Sequence, residues 1–113
     1  CHGLLTLVKS SIQSLFINTN EDQKAETLTI KLPHPIGRLQ DTYITNTYIS
    51  PKSSIPQEML TQHLINEQHM IIGDFNAHNQ AWRCQKNTTK GRALAQLVLN
   101  MDRVIYAPPN PSR

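Results

Sequence analysis

The sequence predicts an α/β (α+β) domain with a mixed β-sheet. In the first half of the chain, β-prone segments follow one another with only short breaks, whereas strand-like and helix-like segments alternate in the second half. A layered α/β domain with a mixed sheet accommodates both patterns. With 113 residues, the chain is long enough for one such domain, spanning 1–113, and too short for two.

The first half contains three predicted strands. Residues 3–8 form a short β-prone run, and residues 27–32 alternate apolar with polar side chains as a half-buried strand does. The polar residues 18–23 predict a turn between them. Pro33 ends the second strand, since proline withdraws a ladder donor and restricts its predecessor. Residues 42–49 are rich in Thr, Tyr and Ile and predict the third strand.

The third predicted strand has two faces, because side chains alternate along a strand. Ile44, Asn46 and Tyr48 share one face, and the intervening residues share the other. Ser50 and Pro51 end the strand.

A helix and a fourth strand are predicted next. Ser54 is the expected N-cap of the helix and Pro56 its early proline. The expected buried stripe of this helix consists of Met59, Leu60, His63 and Leu64. Residues 69–73 then form a continuous apolar run, typical of a strand covered on both faces, and this run delivers Asp74 at its end.

A second helix follows a polar loop. Thr88 or Thr89 can cap it. Its apolar positions, spaced i, i+3, i+4 and i+7, are Leu94, Leu97, Val98 and Met101. Residues 104–106 predict a last short strand, and residues 108–111 a loop.

Composition narrows the class of protein. Hydrophobic residues make up 38% of the chain and charged residues 17%, which is the range of soluble globular domains. No apolar stretch approaches the roughly 20 residues of a membrane-spanning helix, and the first residues lack the features of a signal peptide. Cys1 and Cys84 are too few for a disulfide framework, so a reduced, intracellular protein is expected. Both ends look cut, which suggests an internal piece of a longer protein.

The distribution of charge is more informative than the net charge of +3. Between Gln68 and Met101 the only acidic residue is Asp74. The basic residues of the following loop and helix start are Arg83, Lys86, Lys90 and Arg92. A lone carboxylate beside basic residues suits a site that handles phosphate, because the cations attract the anion. An ordinary solvated loop is the alternative.

Asp74 and Asn76 are the residues most suited to chemistry. If the backbone stays extended past the strand, both side chains project to the same side while Phe75 turns into the core. A carboxylate can orient water or bind a hard cation, and an amide N–H can stabilise charge on a phosphoryl oxygen. The alternative is ordinary turn chemistry, in which both side chains bond to local backbone.

At this point the sequence resembles a known family. Residues 71–78, Ile-Ile-Gly-Asp-Phe-Asn-Ala-His, followed by Trp82, are similar to a segment of the endonuclease/exonuclease/phosphatase superfamily, in the form carried by endonucleases of non-LTR retrotransposons. Three further segments resemble the family in the same order: residues 3–9, residues 46–51 and residues 90–94. Four short matches in the expected order are much more specific than one.

The resemblance implies a fold and an activity. A complete domain of this family is a two-sheet β-sandwich flanked by helices, the DNase I-like fold, and is longer than this chain. The chain resembles its middle, with N- and C-terminal portions missing. The implied activity is magnesium-dependent hydrolysis that nicks DNA, in a polyprotein that also carries a reverse transcriptase. A nuclear location for the parent protein follows from that role.

The resemblance also implies roles for individual residues. Asp74 matches the aspartate that orients or activates the attacking water, and Asn76 the asparagine that holds the phosphate in the transition state. Tyr48 matches the tyrosine whose hydroxyl approaches the scissile phosphate, although a strand-end tyrosine with a packed ring is the structural alternative. The residues expected to assist substrate binding are Asn46, His78, Trp82, Arg83, Lys86, Lys90 and Arg92.

Three of these binding residues have structural alternatives. Asn46 is equally consistent with a buried amide that bonds to a neighbouring backbone group. His78 is consistent with an incidental loop histidine. Trp82 suits a packing anchor for the loop as well as a platform that stacks on an unpaired base.

The sequence departs from the family in two places. The principal magnesium-binding glutamate lies upstream of the family's early strand, and an Asp-His pair lies near the far end. Neither is expected here: Glu21 and Glu26 follow the first predicted strand, the wrong place for that glutamate, and Asp102 is followed by arginine. The chain alone is therefore expected to be inactive. A phosphoinositide or sphingomyelin phosphodiesterase and a degenerate, non-catalytic remnant stay open as alternatives.

Overall fold

The computed structural model describes residues 4–21, 25–37 and 39–108. Their helices and strands are, in chain order, β1 (Leu15–Glu21), β2 (Ala25–Leu32), β3 (Thr42–Ile49), α1 (Gln57–Leu64), β4 (His69–Asp74) and α2 (Thr89–Asn100), with a 3₁₀ turn at Gln80–Trp82 between β4 and α2. The strands form one sheet in the order β1-β2-β3-β4. The pairs β1-β2 and β2-β3 are antiparallel, and β3-β4 is parallel with α1 as the crossover. The predicted mixed α/β architecture is confirmed, and it is consistent with part of a DNase I-like fold.

One face of the sheet is covered by the two helices. The side chains of Thr45, Thr47 and Ile49 on this face of β3 are buried. Ile49 belongs to the core cluster with Ile55, Leu60 and Leu94, which come from the segment before α1, from α1 and from α2. Because Ile49 is fully buried, the end of β3 is anchored to the core.

The opposite face of the sheet is open. Ile30 is buried on this face, but other apolar side chains there are well exposed: Phe16 is 66% exposed, Met70 51% and Ile72 49%. Asn46 and Tyr48 lie on this same face, as predicted, because they alternate with the buried threonines of β3. The polar end of this face carries the candidate site.

One strand prediction and one turn prediction in the first half of the chain are wrong. Residues 4–8 form no strand, and Gly3 lies outside the described residues. The strand that pairs with β2 is β1, which includes residues 18–21 of the predicted turn. The error has a physical cause: β1 is an exposed edge strand, so it needs no alternation of apolar and polar residues. Residues 22 and 23 of that turn lie outside the described residues.

The structure confirms the predicted N-cap of α2 and shows that the predicted N-cap of α1 is wrong. Thr88 caps α2, since its hydroxyl accepts a hydrogen bond from the Gly91 N–H at 3.0 Å. The predicted Ser54 cap is wrong: α1 starts at Gln57 behind Pro56, without a side-chain cap. Starting the helix after Pro56 leaves Ile55 free to enter the core, where it is buried.

The chain after α2 is not the predicted strand. Residues 103–108 have no regular secondary structure, and residues 109–111 of the predicted loop lie outside the described part. The Arg103 guanidinium donates hydrogen bonds to the carbonyl oxygens of Leu64 and Asn66. This segment is therefore held to the end of α1 by a side chain instead of by a strand partner.

Candidate active site

Three polar residues form a row across the open face of the sheet. Tyr48 in β3 is the register partner of Asp74 at the end of β4, and Glu26 in β2 is the partner of Tyr48. Neighbouring strands lie about 4.8 Å apart, so the backbones of Glu26 and Asp74 are separated by roughly 10 Å. Register partners point to the same face, so Tyr48 stands between two carboxylates.

This row lies in an open cavity of about 450 Å³. The residues that line it are Leu4, Leu5, Glu26, Asn46, Thr47, Tyr48, Gly73 and Asp74. Leu4 and Leu5 belong to the segment that precedes β1, and they lie over the strand ends. The cavity therefore collects side chains from three neighbouring strands at one edge of the open face.

Gly73 allows β4 to approach β3 closely enough to form the row. Its φ of +144° is one that side chains rarely adopt, and a Cβ at this position would lie 1.8 Å from the Thr47 carbonyl oxygen. Only glycine fits that approach without moving one of the strands. Because Asp74 is the next residue, its position beside Tyr48 depends on this contact.

Asp74 and Asn76 form a tight turn after β4. The Asn76 N–H donates to Asp74 Oδ1 at 3.0 Å, and Asn76 Nδ2 donates to the Ile49 carbonyl at 2.7 Å. Asn76 has a φ of 48°, so the expected extended backbone through Asn76 is wrong. The alternative of local turn chemistry holds for the Asp74 side chain only, because the Asn76 side chain binds Ile49, 27 positions away in the chain. Asparagine tolerates this left-handed conformation better than most residues. Phe75 packs against the core, as predicted.

The turn still leaves functional groups for chemistry. Asp74 is exposed to solvent. An amide nitrogen has two N–H groups, so Asn76 can donate one more hydrogen bond while it binds Ile49. Tyr48 is 37% exposed, and within the described residues its hydroxyl makes no hydrogen bond.

Asn46 lies on the same face as Tyr48, two residues before it in β3. Its side-chain Nδ2 donates to the Leu5 carbonyl at 3.0 Å. The backbone-bonding alternative for Asn46 is thus the one that the structure shows. The contact fastens the segment before β1 across the strand ends, where it forms one wall of the cavity.

The loop between β4 and α2 is closed at its base. The Thr88 N–H donates to the His78 carbonyl at 2.9 Å, and the His78 N–H donates to the Thr88 hydroxyl at 3.2 Å. The Trp82 indole N–H donates to the Ala77 carbonyl at 3.2 Å, and its ring packs against the core cluster. Trp82 therefore anchors the loop; base stacking by its ring stays a prediction.

The four predicted cations fall into two groups. Arg83, Lys86 and Arg92 have exposed side chains on the loop and on the first turn of α2. Lys90 is half-buried, and its Nζ donates to the Ser50 carbonyl at 2.6 Å. Burial lowers the pKa of Lys90, and the nearby carboxylate of Asp74 raises it. Of these four cations, Lys90 is therefore the one whose charge interacts with that of Asp74.

Sequence reasoning missed Glu26 as a possible site residue. Glu26 follows the first predicted strand and was expected to lie in the wrong place, whereas it lies inside β2 and lines the cavity. The Thr47 hydroxyl donates to its carbonyl at 3.1 Å, which supports the register that aligns it with Tyr48. Its place on the same face of the strand as Leu28 and Ile30 was visible in the sequence, but the pairing register was not.

Buried His69 on the helix-covered face of the sheet lies beside half-buried His63 of α1. His69 Nε2 is 2.6 Å from the Thr45 hydroxyl, and the His63 ring lies 4.5 Å from the His69 ring. Burial and, to a lesser extent, His63 lower the pKa of His69 to about 4, and burial lowers the pKa of His63. The sequence analysis assigned these residues no function, and their place in the helix-covered face indicates a structural role.

The described residues do not complete a magnesium site. Within them, no group of three or more His, Cys, Asp or Glu side chains is close enough to hold a metal ion. Asp74 is a suitable oxygen ligand, but hard cations require several such ligands. No helix in the described part of the chain is long and apolar enough to cross a membrane.

Comparison with known protein families gives one family match. A model of the endonuclease-reverse transcriptase family matches residues 42–113, more than half of the chain. The chain belongs to the endonuclease-reverse transcriptase family. The match supports a retrotransposon endonuclease-like domain of the endonuclease/exonuclease/phosphatase superfamily. No curated protein and no solved structure matches the chain.

The matched region covers the second part of the fold. It begins with β3 and continues through α1, β4 and α2. It therefore includes Tyr48, Asp74 and Asn76 of this endonuclease-reverse transcriptase chain, and it excludes Glu26.

Proposed function

We propose that this chain is part of an enzyme that nicks DNA by phosphodiester hydrolysis, and that Asp74 orients the attacking water. The observation that carries the proposal is the row in which Tyr48 and exposed Asp74 line one cavity at the strand ends. Membership in the endonuclease-reverse transcriptase family supports a nuclease rather than a lipid phosphodiesterase.

The proposed mechanism assigns one task to each polar group. The Asp74 carboxylate accepts a hydrogen bond from water, aligns it with phosphorus and takes up its proton as the new P–O bond forms. The P–O bond to the leaving sugar oxygen breaks, and that oxygen takes a proton from solvent. The free N–H of Asn76 and the hydroxyl of Tyr48 donate to phosphoryl oxygens, where negative charge grows in the transition state. The cations Arg83, Lys86 and Arg92 attract the DNA backbone without reading its sequence.

We also propose a magnesium requirement and a larger protein context. The principal metal ligand would come from residues beyond those described, so no step above is assigned to the ion. In that context the nick primes synthesis by a reverse transcriptase in the same polypeptide, and the enzyme acts in the nucleus. The described residues alone are expected to be inactive, because they lack part of a catalytic set.

The test uses the complete domain, extended on both sides of this chain from the parent reading frame. Conversion of supercoiled plasmid to nicked circles is measured with and without magnesium for the wild type, Asp74→Asn and Asp102→Asn. We expect Asp74→Asn to lower the rate by at least roughly 100-fold, since an amide cannot take up a proton from water.

Asp102→Asn is the matched control. Asp102 is exposed at the end of α2 with a φ of 55°, which asparagine also tolerates. Equal nicking by the wild type and Asp74→Asn would refute the role of Asp74. A wild type that hydrolyses inositol phosphates but leaves plasmid intact would instead refute DNA as the substrate.

A further inference from the structure

Ile49 is the last residue of β3, and Ser50 follows it. Their backbone carbonyl groups accept hydrogen bonds from two different side chains. The Ile49 carbonyl accepts Asn76 Nδ2 at 2.7 Å, and the Ser50 carbonyl accepts Lys90 Nζ at 2.6 Å. The Asn76 N–H in turn donates to Asp74 Oδ1 at 3.0 Å. A continuous set of contacts therefore links Asp74, through the end of β3, to the first turn of α2.

The backbone around Lys90 is fixed by close packing. A Cβ on the neighbouring Gly91 would lie 1.8 Å from the His78 carbonyl oxygen, so this turn of the helix lies directly against the loop. Thr88, the cap of the same turn, bonds to His78 in both directions. With both neighbours held, the half-buried stem of Lys90 does not have the freedom of a surface lysine.

We propose that Lys90 is a positioning residue of the candidate active site. Its ammonium group holds the end of β3 to α2 and fixes a positive charge beside the Asp74–Asn76 turn. Lys90 thereby differs in role from the exposed Arg83 and Lys86, with which the sequence analysis grouped it as a substrate contact. The effect on catalysis rests on the proposed function, whereas the contact itself does not.

A charged hydrogen bond of this kind makes two separable contributions. One is the hydrogen-bond donor to the Ser50 carbonyl. Lys90→Gln partly retains this donor, and Lys90→Met removes it. The other is the positive charge, which both substitutions remove and Lys90→Arg retains. The coupling to Asp74 has a measurable sign, because the Asp74 carboxylate raises the pKa of Lys90.

The first experiment uses this chain and requires no enzymatic activity. The Lys90 side-chain ¹³Cε signal is titrated by NMR in the wild type, Asp74→Asn and Asp102→Asn. We expect Asp74→Asn to lower the pKa of Lys90, because a charge that favours the ammonium form is removed, and Asp102→Asn to leave it unchanged. An identical Lys90 titration in all three proteins would overturn the proposed coupling.

The second experiment uses nicking kinetics of the complete domain, with Lys86→Met as the matched control. For Lys90→Met we expect kcat to fall by roughly 10- to 100-fold, as for a small misplacement of catalytic groups, with KM and its salt dependence unchanged. For Lys86→Met we expect a higher KM and a weaker salt dependence, as for a phosphate contact. Lys90→Gln serves as the milder variant if Lys90→Met does not fold.

The outcomes separate the two proposals. If Lys90→Met or Lys90→Gln raises KM and weakens the salt dependence at constant kcat, Lys90 is a phosphate ligand and the positioning role is refuted. Partial recovery of kcat by Lys90→Arg supports the role of the charge. If the wild type shows no nicking activity but Asp74→Asn still lowers the pKa of Lys90, the proposed function is refuted, while the placement of the Lys90 charge beside the Asp74–Asn76 turn is supported.

Discussion

Acid should destabilise this fold through His69, and the size of the effect follows from the structure. The His69 side chain is only 9% exposed, and its Nε2 is 2.6 Å from the buried Thr45 hydroxyl. The Thr45 hydroxyl lies 2.8 Å from the Thr29 hydroxyl. The ring also stacks on Tyr43 at 5.8 Å between centroids. The positive charge of a protonated ring would not be balanced here, because none of these contacts is a carboxylate.

The pH window follows from the direction of the pKa shift. The pKa of His69 falls from an ordinary value of 6.5 to about 4 in the folded protein, mainly because of burial. The unfolded chain therefore binds the proton first as the pH falls, and stability is lost between about pH 6.5 and pH 4. At about 1.4 kcal/mol for each pH unit between the two pKa values, the loss is about 3 kcal/mol.

Urea unfolding followed by circular dichroism measures this effect. Free energies of unfolding are compared between pH 7.5 and pH 4 for the wild type, His69→Gln and His34→Gln, the last being an exposed control. Carboxylates also titrate in this range, so the relevant quantity is the difference between proteins. We expect the wild type and His34→Gln to lose about 3 kcal/mol more than His69→Gln. Equal losses in all three proteins would refute the reasoning.

Two further predictions concern the cavity. Gly73→Ala should reduce the free energy of unfolding by about 3 kcal/mol or more, because its Cβ would lie 1.8 Å from the Thr47 carbonyl oxygen at a φ of +144°. Gly37→Ala, with nothing within 4 Å of its Cβ, is the control in the same urea-unfolding assay. Glu26→Gln should raise the affinity for inorganic phosphate by about two- to threefold in metal-free, low-salt titrations, because a carboxylate about 7 Å from an anion in water costs about 0.6 kcal/mol. Glu58→Gln is the control for Glu26, and an unchanged phosphate affinity would show that Glu26 does not face the bound anion.

Local signals in the sequence were sufficient to predict β4 and α2 in the second half of the fold, but not the absence of a strand over residues 104–106. The apolar run before Asp74 predicts β4 because it is continuous, and Thr88 predicts the start of α2 because a hydroxyl there can cap the helix. Tyr48 and Asp74 could also be expected at neighbouring strand ends. Their alignment in the same register pair required the structure, because register depends on contacts between strands.

Non-local contacts explain what the sequence could not predict. The interior position of Glu26 in β2 depends on pairing with the exposed strand β1, whose three apolar residues are followed by four polar ones and show no alternation. The His63–His69 pair joins residues from α1 and β4 that meet only after the crossover helix packs. The contact between Lys90 and Ser50 spans 40 positions of the chain, so no local pattern could distinguish Lys90 from the exposed cations.

The row of Glu26, Tyr48 and Asp74 lies on the open face of the sheet, so a layer that covers this face would also enclose the candidate site. Ile72 and Met70 precede Asp74 on β4 and are about half exposed, and Phe16 on β1 is more exposed still. Exposed apolar side chains on a sheet face are unfavourable in water, so a second layer on this face would stabilise the fold and also form the wall of the cavity opposite Tyr48. A two-sheet sandwich has that layer. The same packing that buries Ile72 would then exclude water from the space above Asp74, which strengthens hydrogen bonds to a bound phosphate. The stability of the fold and the enclosure of the candidate site are therefore both expected to depend on a second layer that packs on the open face.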